Sequence, residues 1–270
     1  VRFDMIFQTL APEIEIVTPI RDQNLTRQEE ISYLKANGID LDWEKAKYSI
    51  NKGLWGTSVG GDETLTSHLA LPDSAYPSQL KLKTSETVTL TFMKGELTAV
   101  DGLENATEVL IQKLNDLGSK YAIGRDTHVG DTIVGIKGRV GFEAPAALII
   151  VKAHHLLEKH TLTKWQLQHK DYLSNFYGMH LHEGQYLDPV MRDMEAFLTS
   201  SQSSVSGIVE VVLKPYHFSI NGVKSPNDLM NAKFGSYGEV NSGWTAEEAK
   251  GFIKINGNQN KIHQQVNSNA

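Results

Sequence analysis

Two stretches of the same pattern, ETVTLTFMKGELTAV (86–100) and SGIVEVVLKPYHFSING (206–222), most restrict what this chain can fold into. In each, apolar and polar residues alternate on either side of a short turn, around Lys94-Gly95 in the first. That alternation is the period of a strand with one face buried, and a short turn joins antiparallel neighbours. Between the hairpins lie helical patterns. ATEVLIQKLNDLGSK is amphipathic and expected to close at Gly118. EAPAALIIVKAHHLLEKHT has Pro145 in its first turn and a nearly all-apolar centre, which predicts a buried helix. LTKWQLQHKDYLSNFYG and YLDPVMRDMEAFLTSSQ read as amphipathic and more exposed. Segregated hairpins and long helices predict an α+β fold.

The first forty residues differ. FDMIFQTL has helical spacing ended by Ala11-Pro12, IEIVTPI reads as a short buried strand, and TRQEEISYLKANG as a helix. Thr26 and Glu29 form a capping-box pattern there, with Gly38 as the stop. One strand–helix unit cannot bury both faces alone, so residues 1–43 are expected to be the last piece of an α/β domain. Residues 44–243 are expected to form the main domain, and 244–270 a polar tail. The stretch 48–85 reads as loop-rich, and 124–145 as strands joined by tight turns. The chain opens Val1-Arg2-Phe3-Asp4 within a helical pattern, which suggests a trimmed or truncated polypeptide.

Composition narrows the function. Net charge is -6, from 26 Lys and Arg against 32 Asp and Glu, which argues against nucleic acid as a partner. No cysteine is present, so disulfides, thiolate metal sites and a cysteine nucleophile are excluded, and a cytoplasmic setting fits. No apolar run reaches the ~20 residues of a membrane span. Ten histidines invite a metal reading, yet His154 and His155 would point apart on a helix, and no HExxH spacing occurs. No metal site is expected. There is no G-x-S-x-G elbow and no G-x-x-x-x-G-K-[ST] loop. The stretch YSINKGLWGTSVGG (48–61) carries Ser49 and Ser58 among glycines, which suits either a small polar ligand or a purely structural loop. Lys137 and Arg139 share a face if extended, where they would meet an anion or water.

Several segments together resemble argininosuccinate synthase, in order and nearly end to end. VRFD and LAPEIEIVTPIRD resemble the family's N-D-Q-V-R-F-E and L-A-P stretches. YSINKGLWGTSVGG resembles its S-x-D-E-N-L loop, GIKGRVGFEAPAA its G-x-K-S-R-G-x-Y-E-x-P-A motif, and GWTAEEAKGFIKI its D-A-x-G-F-I segment. The resemblance implies a ligase that joins citrulline to aspartate with ATP and Mg2+, in arginine biosynthesis. It implies a homotetramer assembled partly through the C-terminal segment. The family's ATP-handling domain is N-terminal and almost wholly missing here, so this chain is expected to be inactive alone. A citrulline-binding or oligomer-assembly module without catalysis is the alternative.

By the same resemblance, Arg2, Ser49 and Ser58 match citrulline-contacting positions; no catalytic residue is assigned. Departures cluster beside them. Gly60 and Gly130 stand where the family has glutamates, Phe142 where it has tyrosine, and Asn51-Lys52 where it has an acidic pair. A buried ammonium needs anionic or acceptor partners. Loss of carboxylates is therefore consistent with a substrate whose α-nitrogen is acylated, an N-acyl-citrulline with an acidic group meeting Lys52. Lys137 and Arg139 are candidate anion contacts.

Overall fold

A computed structural model of the chain describes residues 1–39, 48–231 and 242–268. The expected boundary at 43–44 lies outside the described residues. By internal contacts the chain divides into two compact units, Val1–Asn227 and Asp228–Ala270.

The core of the first unit is a five-stranded sheet with helices on one face. Its strands are β3 (Glu86–Met93), β4 (Glu96–Val100), β5 (Leu103–Glu104), β8 (Gly207–Lys214) and β9 (His217–Lys224), in the order β5-β4-β3-β8-β9. All neighbours are antiparallel. The two hairpins seen in the sequence pair with each other through β3 and β8, so Leu90 faces Val209 and Val88 faces Val211. These residues are fully or almost fully buried. The threonines that alternate with them, Thr89 and Thr91, lie on the more accessible face. Lys94 and Gly95 both adopt positive φ, 50° and 86°, the left-handed pair that matches strand twist in a two-residue turn.

Helices α4 (Thr107–Lys120) and α5 (Pro145–Thr161) cover the apolar face. Leu110, Ile111 and Leu114 of α4 join Ile149, Ala153 and Leu157 of α5 in one cluster with the strands. Pro145 starts α5, where its missing N–H leaves no helical bond unmade. Gly118 does not end α4. It is buried two residues before the end, where a side chain would meet Pro145 at 2.6 Å, so the glycine serves close helix packing. Helix α6 (Lys164–His182) has no buried residue, and α7 (Pro189–Ser201) buries only Met191, Met194 and Ser201.

A smaller four-stranded antiparallel sheet, order β1-β2-β7-β6, stands beside this core. It comprises β1 (Ser49–Gly53), β2 (Gly56–Gly60), β6 (Arg125–Asp131) and β7 (Lys137–Glu143). The stretch read as a loop, 48–61, is thus a hairpin. Its glycine content and short length hid the strand period. β7 runs directly into α5 through Ala144.

The N-terminal stretch forms α1 (Arg2–Leu10), a short α2 (Pro19–Asp22) and α3 (Arg27–Ala36), the last with the expected Thr26–Glu29 capping box. The predicted buried strand IEIVTPI is not one. It has no ladder partner among the described residues, and Ile14 and Val17 are 52% and 73% exposed. A lone β-branched segment cannot satisfy its backbone as a strand. In the second unit, the polar tail forms α8 (Ala246–Asn256) and α9 (Asn258–Asn267), with no buried residue in either.

Candidate functional site

The register of the small sheet places the candidate residues. Asn51 is opposite Ser58, Ser58 opposite Phe142, and Phe142 opposite Asp126. These four form one row across four strands. Ser49 is opposite Gly60 in the adjoining row, and His128 is opposite Val140. Because side chains alternate along a strand, all of these share one face. The eight residues between Ser49 and Ser58 therefore fold back on themselves and bring both hydroxyls to a common surface. Ser58, Gly60 and Phe142 are half-buried, while Ser49, Asn51, Asp126 and His128 are exposed. Neither serine hydroxyl has a hydrogen-bond partner among the described residues. The Phe142 ring meets His128 edge-on, with centroids 5.1 Å apart. One oxygen of Asp126 accepts from the Thr127 N–H at 2.7 Å.

Gly130 is on the same face but pairs with Gly138, four residues along β7 from Phe142, about 13 Å away at the usual strand rise. Arg2 lies at that end. Its guanidinium donates to the His182 carbonyl at 2.8 Å and lies 3.3 Å from His182 Nδ1. His182 Nε2 is in turn 3.2 Å from the Asp131 carbonyl. A cavity of about 380 Å³ between Arg2, His182 and the Thr132–Val134 turn opens beside them.

The remaining candidates are on the reverse face. Lys52 is opposite Thr57, and the side that these two share carries Val59, Gly141, Glu143, Arg139 and Arg125 as well. That face is covered by the segment 61–80. Leu71 packs against Gly141, so closely that a side chain there would sit 2.2 Å from Leu71 Cδ1. Lys137 and Arg139 do share a face, as their spacing implies, but both are engaged. Lys137 pairs with Asp131 at 2.7 Å, and Arg139 donates to the carbonyls of Glu63 and Thr66 at 3.0 and 2.7 Å. Arg139 is a pin for the 3-10 turn Asp62–Leu65 rather than an open anion contact. Arg125 is the deeper anchor. It lies over Tyr76 at 4.8 Å, donates to the Ser78 carbonyl and to Asp73, and is 3.5 Å from buried Glu143. Burial raises the Tyr76 phenol above its usual value.

The histidines divide as well. His154 lies against Phe92 and Gln202 and near the fully buried Glu158, which Lys170 pairs at 2.6 Å. Desolvation holds the His154 imidazole below its ordinary value.

Two comparisons agree on the origin of this arrangement. Residues 48–263 match the family model of the argininosuccinate synthase C-terminal domain, and residues 1–40 match that of its N-terminal HUP domain. The chain belongs to the argininosuccinate synthase family. Argininosuccinate synthase of Dictyoglomus turgidum is 36% identical over 265 residues, covering 97% of this chain and 66% of its own length. That of Methanocaldococcus jannaschii is 33% identical over 266 residues, covering 97% and 67%. That of Xanthomonas campestris is 36% identical over 279 residues, covering 99% and 68%. The chain spans about two thirds of the length of these curated relatives. Argininosuccinate synthases are thus similar to it from its first helix to its last.

Asn51 was noted only as a departure from the family's acidic pair, and Asp126 and His128 were not singled out in the sequence. A signal for the last two existed. In RDTHVGD, positions 126, 128 and 130 alternate, so assigning Gly130 to a site also assigns its two neighbours of the same parity.

Proposed function

We propose that this chain supplies the citrulline-binding part of an ATP-dependent carbon–nitrogen ligase that condenses citrulline with aspartate. In that reaction ATP adenylylates the ureido oxygen with loss of pyrophosphate, and the aspartate amine then displaces AMP. The observation that carries the reading is the pair of unpartnered hydroxyls, Ser49 and Ser58, on one accessible face beside Phe142. Each hydroxyl can donate and accept, as a ureido or carboxylate group requires. Catalysis here is chiefly positioning of the ureido oxygen and the attacking amine. ATP and Mg2+ belong to the nucleotide-binding HUP domain, of which residues 1–40 are one part; the expected boundaries at 43 and 243 are proposed on the same basis. Assembly as a homotetramer in the cytoplasm is part of this proposal. No helix among the described residues is long and apolar enough to cross a membrane.

Asp126 bears on the form of the substrate. Although Gly60 and Gly130 lack carboxylates, Asp126 stands across from Phe142 on the face that carries Ser58, which supports it as a partner for an α-ammonium. Free citrulline is the reading this favours. N-acyl-citrulline is the second reading, favoured by the open space over Gly130, which has no atom within 4 Å of a built side chain. Lys52 takes no part in either, since it stands on the reverse face.

Calorimetric titration with citrulline and with N-succinyl-citrulline separates them. Free citrulline is expected to bind, and Ser49→Ala, Ser58→Ala and Asp126→Asn each to weaken it by roughly fivefold, about 1 kcal/mol per hydrogen bond. Preference for the succinylated ligand, unaffected by Asp126→Asn, would replace the first reading with the second. Titration of neither would overturn both.

A further inference from the structure

The reverse face of the small sheet carries a cavity that the citrulline reading leaves unused. It has a volume of about 560 Å³ and lies between the β1–β2 hairpin, the segment 77–81 and the last turns of α4. Each of these walls contributes one lysine: Lys52, Lys81 and Lys120. The backbone fixes two of them as neighbours, because the N–H groups of Lys81 and Leu82 both donate to the Lys120 carbonyl, at 2.8 and 3.0 Å. No ammonium of the three has an ion-pair partner among the described residues.

Two carboxylates line the cavity wall, and one of them is offset by a cation. Asp116 accepts from the Gln112 amide at 2.8 Å. Glu143 is buried beside Arg125 and accepts from the Ser78 N–H at 3.4 Å. The walls are also tied together. The Asn115 amide donates to the Leu54 carbonyl at the hairpin tip, at 2.7 Å, and its oxygen accepts from the Ala146 N–H of α5 at 3.1 Å. So the cavity is held by three elements rather than by loose side chains alone. With Glu143 offset by Arg125, three lysines face one carboxylate, Asp116, around this concavity, a local excess of positive charge in a chain of net charge -6 that draws anions. Ammonium groups act as strongly hydrated point charges with three donors each, suited to phosphate or clustered carboxylate oxygens.

We propose that this cavity binds a compact multivalent oxyanion, at a site separate from the Ser49–Ser58 face. A phosphate compound and a polycarboxylate share the required chemistry. Lys52 then has its role here, on the back of the hairpin whose front carries the serines.

The test is calorimetric titration of the full chain with pyrophosphate and, separately, with citrate, at ionic strength held constant with sodium chloride. Saturable binding of at least one is expected, with no competition from citrulline. Each of Lys52→Gln, Lys81→Gln and Lys120→Gln should weaken it roughly twofold to fivefold, the range of exposed ion pairs. The triple variant should weaken it at least about tenfold on the same basis, with its melting temperature checked to show that it is folded. A stronger response to pyrophosphate than to citrate would name phosphate as the source of the charge, and the reverse would name carboxylate. Absence of saturable binding by either anion, or equal binding by the folded triple variant, overturns the proposal. Loss of citrulline binding with the anion still titrating would sink the citrulline reading and leave this one standing.

Discussion

Gly124 sits where β6 begins beside the start of α5, at φ +89°. A side chain there would meet the Pro145 nitrogen at 2.5 Å and the Ala144 carbonyl carbon at 2.6 Å, and neither is free to yield because both are backbone. The glycine also accepts the Ala144 N–H at 2.9 Å. Gly124→Ala should therefore cost about 2–4 kcal/mol, combining left-handed strain with overpacking. Urea unfolding would check it; an unchanged midpoint would refute the reading. Gly130 gives the contrast, with no atom within 4 Å of a built side chain, so a substitution there meets no packing obstacle. The serines follow the same logic. Their identity was legible in the sequence, but which face they shared, and with what, was not.

Between elements, the junction of α5 and α6 holds a buried polar cluster. Glu158 has no exposed surface, pairs with Lys170 from α6, and accepts from the Gln202 amide at 2.9 Å. His154 packs against this group. Burial lowers its affinity for a proton, Lys170 and His155 act in the same direction, and Glu158 and Gln202 oppose. The unfolded chain takes up a proton near the ordinary value of 6.5, while the folded chain resists it. The unfolded state then binds more protons, so this contribution to stability is complete above that pH and is lost as pH falls below it. The melting temperature of the native chain should drop as pH is lowered from about 6.5, and His154→Gln should flatten that drop. Equal slopes for the two proteins would show that His154 does not govern it. The sequence correctly separated His154 from His155 on a helix. It could not supply the partners, since Lys170 and Gln202 are 16 and 48 residues away.

For the whole molecule, the second unit differs in kind from the first. Its helices α8 and α9 have no buried residue, and Phe252, Ile253, Ile255, Ile262 and Val266 are all more than half exposed. Removing residues 228–270 should leave the 1–227 unit folded, with a cooperative transition close to that of the full chain, and, if the proposed tetramer forms through this segment, should abolish it. Light scattering and thermal unfolding would test both, and a truncated chain that fails to fold would refute the division. By itself the sequence determined the α+β class, the two long hairpins, the buried helix after Pro145, the Thr26 cap and the family, because each is written in local spacing or in ordered motifs. It misread IEIVTPI as a strand, since β-branched composition does not supply a pairing partner. It missed the 48–61 hairpin, where glycine replaces the alternating apolar residues that mark a strand. Only the tertiary structure put Ser49, Ser58, Phe142 and Asp126 on the front of the small sheet and Lys52 on its back. Which face a strand residue occupies depends on pairing register, and register is set by neighbours tens of residues away.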